Sequence, residues 1–142
     1  MVKVLFVCHG NICRSPMAEF VLKDKLDKLG IKDYLIESAA TSYEEIGNGV
    51  YPPIKRLLNS KNISTKGKVA RHIELSDYDN FDYIIGMDTA NFRYLNNYFP
   101  LKDKIYKLTK DDVADPWYTE RYEECYHHIQ RGCDDLIRKI LG

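Results

Sequence analysis

The sequence predicts a three-layer α/β sandwich, a four-stranded parallel sheet with helices on both faces, and three observations carry that expectation. Segments with strand-like and helix-like patterns alternate along the whole chain. The first strand-like run, Val2 to Val7, is apolar on both faces apart from Lys3, which suits the middle of a parallel sheet. Near the C-terminus, Tyr122, Cys125, Tyr126, Ile129, Cys133, Leu136, Ile137 and Ile140 recur in steps of one, three and four, on one helical face. At 142 residues the chain fits one domain, residues 1–142, which can bury roughly two-thirds of its unfolded surface.

Local signals give the element order. After Val2–Val7 comes a polar loop, Cys8 to Arg14, containing Gly10 and Asn11, residue types that tolerate a left-handed backbone. Ser15-Pro16 is a favourable helix start, with Ser15 as N-cap. Ala18, Val21, Leu22, Leu26 and Leu29 then recur at helical spacing until Gly30 stops the run. Tyr34 to Ser38 reads as a second strand, and Pro52-Pro53 opens a helix through Ile54 to Leu58. Tyr83 to Met87 is a central third strand. Asp88 caps a helix to about Asn97, and Ile105 to Leu108 makes a short fourth strand before an acidic loop.

Hydrophobic residues make up 44% and charged residues 30%, the balance of a globular chain rather than a disordered one. Lys plus Arg and Asp plus Glu both number 21, so the formal net charge is zero. That removes the electrostatic case for nucleic acid or an anionic membrane as partner. The apolar run Val4–Val7 is too short for a signal sequence or a membrane span, so a cytoplasmic protein is expected. Four cysteines without a C-x-x-C pair spell out neither a zinc ribbon nor a thioredoxin-type motif and suggest reduced thiols; no metal or other cofactor is expected.

In an open α/β sheet, ligands bind beyond the carboxyl ends of the strands. The loop Cys8-His9-Gly10-Asn11-Ile12-Cys13-Arg14-Ser15 holds that place and leads into a helix N-terminus. Successive backbone N–H groups there form a nest for phosphate or another oxyanion. No G-x-x-x-x-G-K-[ST] occurs, and Gly47-Asn48-Gly49 lacks the third glycine of a dinucleotide fingerprint. A thiol at the first position and a guanidinium near the end distinguish this loop. The N–H groups, the helix dipole and Arg14 favour the thiolate form of Cys8, a nucleophile. Arg14 can grip two phosphoryl oxygens, and the Ser15 hydroxyl can donate to the thiolate. Together they describe covalent catalysis through a cysteinyl-phosphate. For the accompanying proton, Asp111, Asp112 and Asp115 are equal candidates.

This C-x5-R-S motif, Cys8 to Ser15 near the start of the chain, resembles the low-molecular-weight protein tyrosine phosphatases. Ser38-Ala39-Ala40-Thr41-Ser42, Ile46-Gly47-Asn48, Val69-Ala70-Arg71, Phe81-Asp82, Met87-Asp88 with Asn91, and Asp115-Pro116-Trp117-Tyr118 extend the likeness over essentially the whole chain. The resemblance implies hydrolysis of phosphotyrosine on proteins, and of aryl phosphates, without a metal. It singles out Asp115 as general acid and then base. It implies that Asn11 holds the loop through its side chain. His9, Gly10, Asn11, Ile12, Cys13 and Ser15 are expected around the phosphate, and Ile12, Trp117 and Tyr118 as flat pocket walls.

Three positions depart from that family's pattern. Glu44 stands where an aromatic is usual, with Tyr43 one residue earlier, and either can face the pocket. Lys68 replaces a histidine, while His72 follows Arg71 without inheriting its role. The stretch from Leu108 to Asp115 is short. Cys13 shares the tight loop with Cys8 and can serve as a resolving thiol after peroxide attack. Cys125 and Cys133 read as core residues, and Cys125 with His128 lacks the further ligands of a metal site. An arsenate reductase needs two more cysteines on a mobile segment, whereas Cys125 and Cys133 sit on the periodic last helix. A non-catalytic phosphotyrosine-binding module would be expected to lose Cys8, Arg14 or Asp115.

Overall fold

In the computed structural model, which describes all 142 residues, the order is β1 (Val2–Cys8), α1 (Arg14–Lys28), β2 (Tyr34–Ala40), α2 (Pro52–Ser60), α3 (Asp77–Asn80), β3 (Tyr83–Gly86), α4 (Thr89–Tyr98), β4 (Ile105–Lys107), α5 (Pro116–Thr119) and α6 (Tyr122–Leu141). The four strands are parallel and stand in the order β2-β1-β3-β4. Val4 to Val7 of β1 are fully buried, and successive side chains enter different cores. Val4, Phe6 and Cys8 pack with residues of α1, α2 and α6, while Leu5 and Val7 pack with Tyr78 of α3 and Leu95 of α4. That alternation is the sandwich: one strand feeds two cores because its side chains point to opposite faces. Truncating Phe6 to alanine would cost about 3–5 kcal/mol.

The order of strands reverses between β1 and β3, so the chain leaves β1 at the switch point where α/β sheets open a crevice. Gly86 keeps the far side of that crevice tight. A Cβ there would stand 2.9 Å from the Asn91 Cβ, so only glycine lets the start of α4 lie against the end of β3.

Several local expectations change. β2 runs to Ala40, two residues further than its sequence pattern, because Ala39 and Ala40 pair with Val7 and Cys8. The single-turn helices α3 and α5 carry too little periodicity to read from sequence. Cys13, not Ser15, is the N-cap of α1, and it makes no side-chain capping bond. The first N–H groups of that helix therefore receive no bond from an N-cap side chain and face the loop, as an anion site needs. Asn11 adopts a left-handed backbone (φ 59°), whereas Gly10 does not.

Candidate active site

Main-chain bonds strap the loop from outside. The Thr41, Ser42 and Tyr51 N–H groups donate to the carbonyls of Cys8, His9 and Ile12 at 3.0, 3.1 and 2.9 Å. Asn11, buried and left-handed, accepts from the Arg71 N–H at 3.1 Å and donates Nδ2 to Ser15 Oγ at 2.8 Å. One lone pair of that hydroxyl is thereby occupied, and its hydrogen is left to serve Cys8 Sγ, 2.9 Å away. The Ser15 N–H also reaches the sulfur, at 3.4 Å. A relay of hydrogen bonds thus runs from Arg71 through the buried Asn11 and Ser15 to the thiol.

Arg14 lies almost wholly buried in the first turn of α1. Its Nη1 donates at 2.8 Å both to Asp88 Oδ2 and to the Val113 carbonyl. Burial opposes the charge, yet Cys8, Asp88 and Asp115 together hold the guanidinium pKa above its usual value. Asp88 has two roles: Oδ1 accepts from the Asn91 N–H at 2.7 Å, capping α4, while Oδ2 orients Arg14. Only the capping role was legible in the sequence, since nothing local ties Asp88 to a residue 74 positions earlier.

The three acidic candidates separate cleanly. Asp115 Oδ1 caps α5 by accepting from the Trp117 N–H at 3.0 Å, and Oδ2 stands 3.6 Å from Arg14 Nη2. Asp112 turns away, accepting from the Thr89 N–H at 3.0 Å and from Lys107 Nζ at 2.6 Å. The Lys107 contact, with Thr89, pulls its carboxyl down to about 2. Asp111 offers its carbonyl to Thr109. The short acid loop is tethered through Val113, whose N–H donates to the Met87 carbonyl and whose carbonyl receives Arg14.

Cys8, Arg14 and Asp115 share one pocket with His9, Gly10, Ile12 and Cys13 of the loop. Trp117 and Tyr118 form its outer wall, Trp117 tilted against Tyr51 with centroids 4.8 Å apart. Asn11 and Ser15, expected around the phosphate, do not line the pocket; they brace the loop from beneath, because their polar atoms are already engaged with one another. A sequence model of the low molecular weight phosphotyrosine protein phosphatases matches residues 3–141. The chain belongs to that family.

Similarity within the family is broad. The low molecular weight protein-tyrosine-phosphatase PtpA of Staphylococcus haemolyticus is 39% identical over 148 residues, covering 99% of this chain and 95% of that protein. The crystal structure of the low molecular weight protein tyrosine phosphatase from Streptococcus pyogenes superposes with a TM-score of 0.92 at 40% identity, covering 100% and 95% of the two chains. That of YfkJ from Bacillus subtilis gives 0.93 at 38% identity, covering 99% and 95%.

This family member resolves its own departures structurally. Glu44 lines the pocket, whereas Tyr43 points away, exposed and stacked on His72 with centroids 3.9 Å apart. Lys68 is drawn into a polar cluster: Nζ donates to the Ser38 carbonyl at 2.8 Å and stands 3.7 Å from buried Glu19. Burial lowers the lysine's pKa, and Glu19 partly restores it. Cys13, Cys125 and Cys133 are buried thiols. Burial pushes Cys125 and Cys133 up to about 12, and burial together with Cys8 pushes Cys13 higher still. His128 sits against Thr109 Oγ1 at 2.8 Å.

Proposed function

We propose that this protein tyrosine phosphatase hydrolyses phosphotyrosine through a cysteinyl-phosphate on Cys8. The observation that carries the reading is the shared pocket in which Cys8 Sγ, held by Ser15 at 2.9 Å, faces the same space as Arg14 and Asp115. The phosphoryl group sits in the loop, at the N-terminus of α1, with the Arg14 guanidinium on its oxygens. The Cys8 thiolate attacks phosphorus as the bond to the tyrosyl oxygen breaks. Asp115 enters as the carboxylic acid and gives its proton to that oxygen. The same group, now a carboxylate, takes a proton from water. The water oxygen attacks phosphorus, the P–S bond breaks, and inorganic phosphate and the thiolate are released. Ile12, Trp117 and Tyr118 provide flat surfaces for the phenyl ring, which favours phosphotyrosine over phosphoserine.

Tyrosine-phosphorylated proteins are the substrates in this reading, and oxyanions such as phosphate are competitors for the loop. No helix is long and apolar enough to cross a membrane. Four free thiols fit a reducing compartment, which supports a cytoplasmic location. Rapid quenching of a reaction with a 32P-labelled phosphotyrosine peptide tests the mechanism. Label on a peptide containing Cys8, absent from Cys8→Ser, is expected. Undiminished turnover by Cys8→Ser would overturn it.

A further inference from the structure

We propose that Glu44 is a specificity residue that favours substrates in which a lysine or arginine adjoins the phosphotyrosine. The inference rests on the phosphatase reading and extends it from the phosphate to its flanks. Glu44 stands at the pocket mouth, its side chain 70% exposed, and its one side-chain partner is the His9 imidazole, whose Nε2 lies 3.2 Å from Oε2. The adjacent Glu45 is engaged differently: its carboxylate accepts from Asn48 Nδ2 at 2.7 Å, and its stem lies over Gly10. Arg14 does not neutralise this rim, because it is buried beneath and bound to Asp88. With the phosphate at the base of the pocket, the residues beside the phosphotyrosine pass the mouth. There the exposed Glu44 carboxylate attracts a cation and repels an acidic side chain.

The placement of Glu44 is fixed from its neighbour. The Tyr43 ring stacks nearly parallel on that of His72, at 4° between the planes. The imidazole is itself held by the Thr41 and Ile73 carbonyls at 3.1 and 2.6 Å. Tyr43 is therefore anchored outside, and the next side chain meets the pocket. Because the whole chain carries no net charge, a preference for cations must come from the rim rather than from a general field.

The test compares phosphotyrosine peptides of identical composition. One carries lysine on both sides of the phosphotyrosine and glutamate three residues away; the other exchanges the two. An exposed pair of this kind supports a ratio of about 3- to 5-fold in kcat/KM at low salt. The ratio should shrink towards one at about 0.5 M NaCl. Each ratio is taken within one protein, so any loss of turnover common to both peptides cancels. Glu44→Gln is expected to remove the preference and Glu44→Lys to reverse it. A ratio that stays the same in Glu44→Lys, or equals one in the native chain, overturns the assignment of Glu44 alone. Failure to hydrolyse either peptide overturns the phosphatase reading and the preference with it.

Discussion

Where β1 passes into α1, Asn11, Arg14 and Ser15 are buried and held by named partners, Arg14 through its Nη1. Across the pocket, Tyr118 is 81% exposed, Trp117 about half exposed, and Glu44 reaches only His9. The two sides face different tasks. A phosphoryl group is the same in every substrate, so its cradle can be fixed in advance by buried hydrogen bonds, where preorganisation is most effective. The leaving group and its flanks vary between substrates, and the surface that meets them is built from side chains with few commitments. Asp115 joins the two sides. It caps the exposed α5 with one oxygen and approaches the buried Arg14 with the other.

The contrast can be broken most severely at that junction. Asp115→Asn should slow hydrolysis by about 10²–10⁴-fold, with phenyl phosphate suffering more than p-nitrophenyl phosphate, while phosphate analogues still bind. Equal losses on both substrates would take the proton-donating role away from Asp115. Arg14→Lys attacks the cradle alone. An ammonium cannot serve Asp88, the Val113 carbonyl and the phosphoryl oxygens together, so turnover should fall by about 10²–10³-fold whatever the leaving group. Near-normal rates would show that the backbone N–H groups suffice.

A milder effect concerns oxidation on the buried side. Peroxide should convert Cys8 to a sulfenic acid, from which the Cys13 sulfur displaces water to give a disulfide that dithiothreitol reduces. Cys13 is expected to remain a thiol beforehand, since burial and the neighbouring Cys8 raise its pKa. Activity recovered with dithiothreitol after peroxide should be several-fold lower in Cys13→Ser. Equal recovery, with no Cys8–Cys13 linked peptide by mass spectrometry, would remove the resolving role.

The smallest effect distinguishes Asp112 from Asp115. With its carboxyl lowered to about 2 in the fold, Asp112 contributes stability that is present above the unfolded value near 4. That contribution is lost as pH falls from about 4 to 2. The pair is half exposed, so less than about 1 kcal/mol is involved. Asp112→Asn should lower the thermal midpoint slightly at pH 7 and not at pH 2, without altering the leaving-group dependence of turnover.

Sequence alone carried the sandwich, the parallel strands and the loop with its thiol, because apolar periodicity and a C-x5-R spacing are local in the chain. It also located Cys8 and Arg14, whose seven-residue span is closed within one loop and the helix that follows. Without a family pattern it did not separate Asp111, Asp112 and Asp115, and even with one it left Tyr43 and Glu44 open. Those choices turn on long-range partners: Lys107 and Thr89 engage the Asp112 carboxylate, and His72 stacks on Tyr43. Likewise Asp88 reads as a helix cap until β3 and α4 bring it beside Arg14, and of the two readings open to Ser15, N-cap or partner of the sulfur, the bond from Asn11 favours the second. Backbone preference and apolar period are properties of a segment. The direction of a polar side chain depends on which distant donor or acceptor the fold sets within 3 Å, and only the tertiary structure decides that.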